Sequence, residues 1–159
     1  MKQCIFAGTF DPISLGHVDI ARRAARAFDN VIVAVCDNAE KRTAFTLKER
    51  LEMAELALKG ERGISAESFS GLLTDFCKAK GARYLVRGLR NTTDFEYEKV
   101  LFEVYKTQLP DIECVYFTAR GDQEHIQSSY IRELLKLGGD CSKFIPSAVL
   151  EYITKINKI

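Results

Sequence analysis

The sequence has no apolar run near the ~20 residues that a membrane-spanning helix requires. It also has almost no net charge: 23 lysines and arginines against 22 aspartates and glutamates leave +1. A chain this close to neutral has no general attraction for nucleic acid, so any anion site must be a local cluster. Neither a membrane nor a nucleic acid is expected as partner. The five cysteines (4, 36, 77, 114 and 141) lie far apart and form no C-x-x-C pair. They read as reduced, mostly buried thiols of a cytoplasmic protein, not as disulfides or a zinc site. The P-loop pattern and the three spaced glycines of the dinucleotide loop are both missing. So are a Ser–His–Asp set, a paired-carboxylate motif, a metal-ligand cluster, internal repeats, linkers and low-complexity stretches. The first strand pattern starts almost at the N-terminus, which leaves no room for a signal peptide.

What is present fits an ordinary globular chain, 47% hydrophobic and 28% charged over 159 residues. That length suits one domain, 1–159, with a core that needs no staples. Five short apolar runs (3–7, 30–36, 64–69, 84–86 and 113–118) alternate with helical patterns. Helices are predicted over 17–28, from Thr46 to near Gly60, 72–80, 93–109, 128–137 and from about 146 onward. Thr46-Leu47-Lys48-Glu49 is a capping box. The run Asn30-Val31-Ile32-Val33-Ala34-Val35-Cys36 is continuous, as in a parallel strand buried on both faces. The order predicts an α/β protein: a doubly wound five-stranded parallel sheet with helices on both faces. The 93–109 helix is apolar on more than one stripe, so it is buried on most sides, either inside the domain or at a subunit interface.

In such a fold ligands sit beyond the carboxyl ends of the strands. Thr9, Phe10 and His17 follow the first strand, and Lys41-Arg42 the second. Gly71, Leu72 and Leu73 follow the third; Arg87, Gly88 and Arg90 the fourth, with Glu98 further on. A polar loop to Gln127 and then Ser128-Ser129 follow the fifth. Taken singly, each element has a duller reading. Gly8–Gly16 is a turn, His17 a helix-start residue, Lys41-Arg42 a solvated pair, Glu98 a solvated helix residue and Ser128-Ser129 a cap. Arg87 and Arg90 resist that reading, because two arginines flanking a strand end repel unless an anion lies between them. Together, four cations, a histidine and two helix N-termini at one edge make a site for phosphates.

Gly8-Thr9-Phe10-Asp11-Pro12 with Gly16-His17 resembles the first signature of the nucleotidyltransferase superfamily, with Ser14 at the first position of its closing quartet. Arg87-Gly88-Leu89-Arg90 followed by Asp94-Phe95-Glu96-Tyr97-Glu98 resembles the bacterial phosphopantetheine adenylyltransferase family. So do Phe45-Thr46-Leu47-Lys48-Glu49-Arg50, Phe69-Ser70-Gly71-Leu72-Leu73 and Ile126-Gln127-Ser128-Ser129, and the similarity spans essentially the whole chain. Gln127 departs from the serine common there, and Arg42-Thr43 from the lysine and proline that commonly follow Lys41.

The resemblance implies a Rossmann-like nucleotidyltransferase fold and reversible transfer of the adenylyl group of ATP to 4′-phosphopantetheine. The products would be dephospho-coenzyme A and pyrophosphate, the penultimate step of coenzyme A biosynthesis. It implies contacts to phosphopantetheine from Thr9, Lys41, Leu73 and Arg87. For ATP it implies Thr9, Phe10, His17, Gly88, Leu89, Arg90, Glu98, Gln123, Glu124, His125, Ile126, Gln127, Ser128 and Ser129. Mg²⁺ arriving with ATP, a homohexamer and feedback inhibition by coenzyme A are implied as well, with no metal site on the protein itself. The chemistry asks for little beyond positioning, because a phosphate monoester is already largely ionised at neutral pH. His17, Lys41 and Arg90 are the expected catalytic residues, with His17 donating to the α-phosphate. Two rivals stand beside this reading: a related transferase acting on nicotinate mononucleotide or an alcohol phosphate, and a non-catalytic nucleotide sensor.

Overall fold

A computed structural model describes residues 2–37 and 42–156. Strands β1 (Gln3–Gly8), β2 (Asn30–Asp37), β3 (Ile64–Ser70), β4 (Tyr84–Leu89) and β5 (Glu113–Thr118) form one sheet, ordered β3-β2-β1-β4-β5 and parallel throughout. Helices α1 (Leu15–Ala24), α2 (Leu47–Ala57), α3 (Leu73–Lys80), α4 (Thr92–Gln108), α5 (Ser128–Lys136) and α6 (Ser147–Lys155) connect and flank the strands. The expected doubly wound sheet is therefore what forms.

Strand alternation builds two cores, because successive side chains point to opposite faces. Cys4, Phe6, Val31, Val33, Val35 and Val86 face one cluster with Val18, Met53, Ile131, Val149 and Ile153 of the helices. Ile5, Ala7, Ile32, Ala34 and Leu85 face the other, with Phe69, Cys77 and Ile112. Each fully buried Ile or Val contributes roughly 1.5–3 kcal/mol of transfer free energy, so a sheet buried on both faces is a rigid base for a site at its edge.

The chain reverses its direction of winding between β1 and β4, which pair in register at Phe6 and Val86. A crevice opens there beyond the carboxyl ends.

Several expected boundaries move. α1 begins two residues earlier, capped by Ser14, and ends at Ala24; residues beyond it turn instead of continuing the helix. β4 runs on to Leu89, since its pairing with β5 continues through Arg87↔Tyr116, Gly88↔Phe117 and Leu89↔Thr118. Arg87, Gly88 and Leu89 are thus strand residues, not loop residues after it. Ser128-Ser129 do not cap α5: Gln127 holds the cap position without a side-chain bond, and Ser128 Oγ instead donates to Pro12 O at 2.9 Å. α4 is not internal: within the single chain none of its residues is buried, and Tyr97 and Val100 are 66% and 68% exposed.

Candidate active site

The first wall of the crevice is the turn from β1 into α1. Gly8 is required there, because a Cβ would stand 2.9 Å from the Phe10 ring. Phe10 takes a left-handed φ of 48° and is buried, edge-on to Phe6 at 5.3 Å and to His17 at 5.0 Å. A phenylalanine in that region persists only where its surroundings fix it. Asp11, also buried, supplies part of that fixing: its carboxylate accepts Ala44 N–H at 2.9 Å and Phe45 N–H at 3.0 Å. Arg132 of α5 donates to Asp11 O at 2.8 Å, so three segments of the crevice meet on one residue.

His17 stands at the third position of α1 and closes a capping box with Ser14. The usual partner there is Glu or Gln; here an imidazole does the work. Ser14 Oγ accepts His17 N–H at 3.3 Å, and Ser14 N–H donates to His17 Nδ1 at 3.0 Å. A ring nitrogen that accepts an N–H carries no proton, so the imidazole proton sits on Nε2. Burial pulls the His17 pKa down from 6.5 to about 4, helped by the positive charges of Arg90 and Arg87. His17 is therefore neutral near pH 7 and presents one oriented N–H donor.

The second wall comes from β4 and α4. Arg87 Nε and Nη2 bind both oxygens of Glu98, at 2.7 and 2.5 Å, and its Nη1 donates to Ala7 O at 2.6 Å. Burial alone would lower the Arg87 pKa; the bonds and charge of Glu98 outweigh it and raise the value. Arg90 makes the matching pair with Asp94, through Nε at 3.0 Å and Nη2 at 3.1 Å. Burial pushes the Asp94 carboxyl up, but the bonds and charge of Arg90 prevail and hold it below the usual range. Asp94 and Glu98 lie one turn apart on α4, so each arginine has a carboxylate of its own. The expectation that the two arginines require an anion between them is corrected on this point: α4 supplies the counter-charge. Asp94 was not among the expected site residues, although its i,i+4 spacing from Arg90 is a signal for the pair.

The third wall is the β5–α5 connection. With no side chain capping α5, its first-turn N–H groups are left for an anion. A cavity of about 380 Å³ joins the three walls; Thr9, Phe10, His17, Arg87, Gly88, Arg90, Glu98, Gln123, Ile126, Gln127, Ser128 and Ser129 all line it. A second cavity of about 410 Å³ shares Thr9, Phe10, His17 and Ser128 with the first and adds Arg42, Thr43 and Arg132. His17 thus borders both.

Among the described residues, four of those expected do not line the first cavity. Leu73 packs in the second core cluster, and Leu89 accepts Ala119 N–H at 2.7 Å. His125 faces an apolar cleft beside Tyr130 and Phe144, and Glu124 lines neither cavity. Lys41 lies outside the described residues; of that pair Arg42 is seen, in the second cavity. Among the described residues no three His, Cys, Asp or Glu side chains could gather on a metal ion, and both carboxylates of the first cavity are engaged by arginine.

The cytidylyltransferase-like family model matches residues 5–134, which places the parallel sheet and its switch-point crevice in a nucleotidyltransferase. More closely, the chain is 46% identical over 147 residues to a phosphopantetheine adenylyltransferase of an Acidovorax strain, covering 92% of this chain and 89% of that protein. Its counterpart in Heliobacterium modesticaldum is 43% identical over 150 residues, covering 94% and 89%. For Lachnoclostridium phytofermentans the figures are 38% over 153 residues, 96% and 94%. The chain belongs to the phosphopantetheine adenylyltransferase family.

Proposed function

We propose that this chain transfers the AMP part of ATP to 4′-phosphopantetheine, forming dephospho-coenzyme A and releasing pyrophosphate. One observation carries the mechanism: a neutral histidine with a single fixed donor borders two cavities, each with arginines. A phosphate oxygen of the acceptor attacks the α-phosphorus of ATP, and the bond from that phosphorus to the bridging oxygen of pyrophosphate breaks. The acceptor phosphate is mostly dianionic above pH ~6, so no general base is needed. His17 Nε2–H, helped by Thr9, donates to the α-phosphate oxygens as charge gathers there. Arg87, with Lys41 or Arg42, holds the acceptor phosphate. Arg90 and the start of α5 hold the departing β- and γ-phosphates. Magnesium would arrive with ATP and supply charge neutralisation on its phosphates, which suits a cavity whose carboxylates are already paired.

The same reading includes a cytoplasmic location, inhibition by coenzyme A as a later product of the same route, and a homohexamer, which the exposed apolar face of α4 supports. The test is product formation from ATP with 4′-phosphopantetheine, nicotinate mononucleotide or an alcohol phosphate as acceptor. Dephospho-coenzyme A and pyrophosphate from the first alone are expected. Turnover with another acceptor, or ATP binding without turnover, overturns the reading. His17→Ala should lower kcat by ~10²–10³, as for loss of one oxyanion-type donor.

A further inference from the structure

Arg50 is a cation where physical chemistry disfavours one. It is 1% exposed, and it lies in the first turns of α2, near the positive end of the helix dipole. Among the described residues no carboxylate pairs with it. A buried charge is kept only when other interactions compensate for its desolvation. Its partners are three main-chain carbonyls from three separate elements: Thr9 O at 2.6 Å, Cys36 O at 2.8 Å and Phe45 O at 3.2 Å. Thr9 follows β1, Cys36 is the last residue but one of β2, and Phe45 precedes the cap of α2. Phe45 is held from the other side too, since its N–H goes to Asp11. Between Thr9 and Asp11 stands Phe10 in its left-handed conformation.

We infer that Arg50 is a positioning residue for the transfer site: its guanidinium fork locks the ends of β1 and β2 so that the Thr9–Phe10 backbone and His17 meet the reacting phosphates in register. This rests on the activity proposed above. A planar fork with five donors can reach three carbonyls at once; a lysine ammonium cannot reproduce that geometry. The charge also fits the site, because it lies beneath a turn that faces polyanionic substrates.

The test begins with wild-type turnover. If wild type forms no dephospho-coenzyme A, the activity reading fails, independently of Arg50. With an active wild type, Arg50→Lys is compared with Met53→Ala, a fully buried position on the same helix that bonds to neither strand end. Arg50→Lys is expected to lower kcat about 10–100-fold, the scale of a small misplacement of reacting groups. Met53→Ala should lower Tm while leaving kcat within about twofold at temperatures where it is folded, since cavity formation acts on stability. Equal kcat in Arg50→Lys and wild type overturns the inference. So does an equal kcat loss in both variants, which would make the role merely structural. Should Arg50→Lys fail to fold, the wild-type Arg50 Nε–H resonance decides. It should shift when ATP is added; a resonance that ATP leaves unmoved overturns the inference.

Discussion

Ser14 and His17 cap each other: the serine hydroxyl accepts the histidine backbone N–H at 3.3 Å, and the serine N–H donates to Nδ1 at 3.0 Å. One short motif thereby starts α1, fixes the imidazole tautomer and aims Nε2. Ser14→Ala removes the side-chain half of this box but keeps the backbone bond to Nδ1. We expect stability to fall by about 1 kcal/mol, as for other N-cap losses, while the tautomer and most of kcat survive. Urea unfolding and steady-state kinetics on the same preparation check both.

His17 gives a pH prediction with a definite sign. Its folded pKa, about 4, lies below the ordinary 6.5. The unfolded chain therefore takes up the proton first as pH falls. The contribution of this group is complete above pH 6.5, declines between 6.5 and about 4, and is constant below. His17→Gln should flatten that part of the stability curve. Activity should show no limb from His17 between pH 5 and 8, only one near pH ~6 from the acceptor phosphate. A His17 imidazole, assigned by its loss in His17→Gln, that titrates near 6.5 by NMR in the free enzyme contradicts the assignment.

Residues near in sequence made the fold legible, and residues brought together from afar did not. Strand β2 announced itself through Val31 to Val35, and α2 through Thr46 and Glu49, because both signals are local. The edge carrying Thr9, His17, Arg87 and Arg90 followed from strand order alone. The bond from Arg50 to three carbonyls could not be foreseen: in sequence Arg50 is one more charged residue on an amphipathic helix. The reciprocal Ser14–His17 cap had a readable spacing, but the usual template names Glu or Gln at the third position. For α4 the apolar pattern signalled burial without telling an internal surface from one between subunits.

Arg87 and Glu98 form a partly buried bidentate pair that also ties β4 to Ala7 of β1. Arg87→Ala leaves the Glu98 carboxylate without its partner, so stability should fall by about 3 kcal/mol, the scale for breaking such a pair. The KM for phosphopantetheine should rise more than that for ATP. Arg87→Met with Glu98→Leu removes both charges and should regain most of the stability, because an apolar pair of similar volume is no worse than a buried ion pair. Its KM for phosphopantetheine should stay high. If the double variant recovers both properties, Arg87 is structural and does not touch the acceptor phosphate.

The last prediction concerns α4, whose two sides have different roles. Asp94 and Glu98 turn inward to Arg90 and Arg87, while Tyr97, Val100 and Val104 lie exposed at helical spacing on the side turned away. An exposed apolar stripe of this kind marks a surface suited to contact with another one. With a hexamer proposed, a second copy is the natural cover. Wild type should sediment as a multi-subunit particle of the 17.9 kDa chain. Val100→Asp with Val104→Asp places two desolvated carboxylates in the contact, each costing several kcal/mol when left unpaired, and should shift the mass toward the single chain. Tm should fall with it and become concentration-dependent near the dissociation range. Because the same helix carries the partners of both arginines, turnover per chain should fall with dissociation. A variant that keeps the full mass would show that α4 is covered elsewhere or left bare, and a wild type of 17.9 kDa would remove the interface altogether.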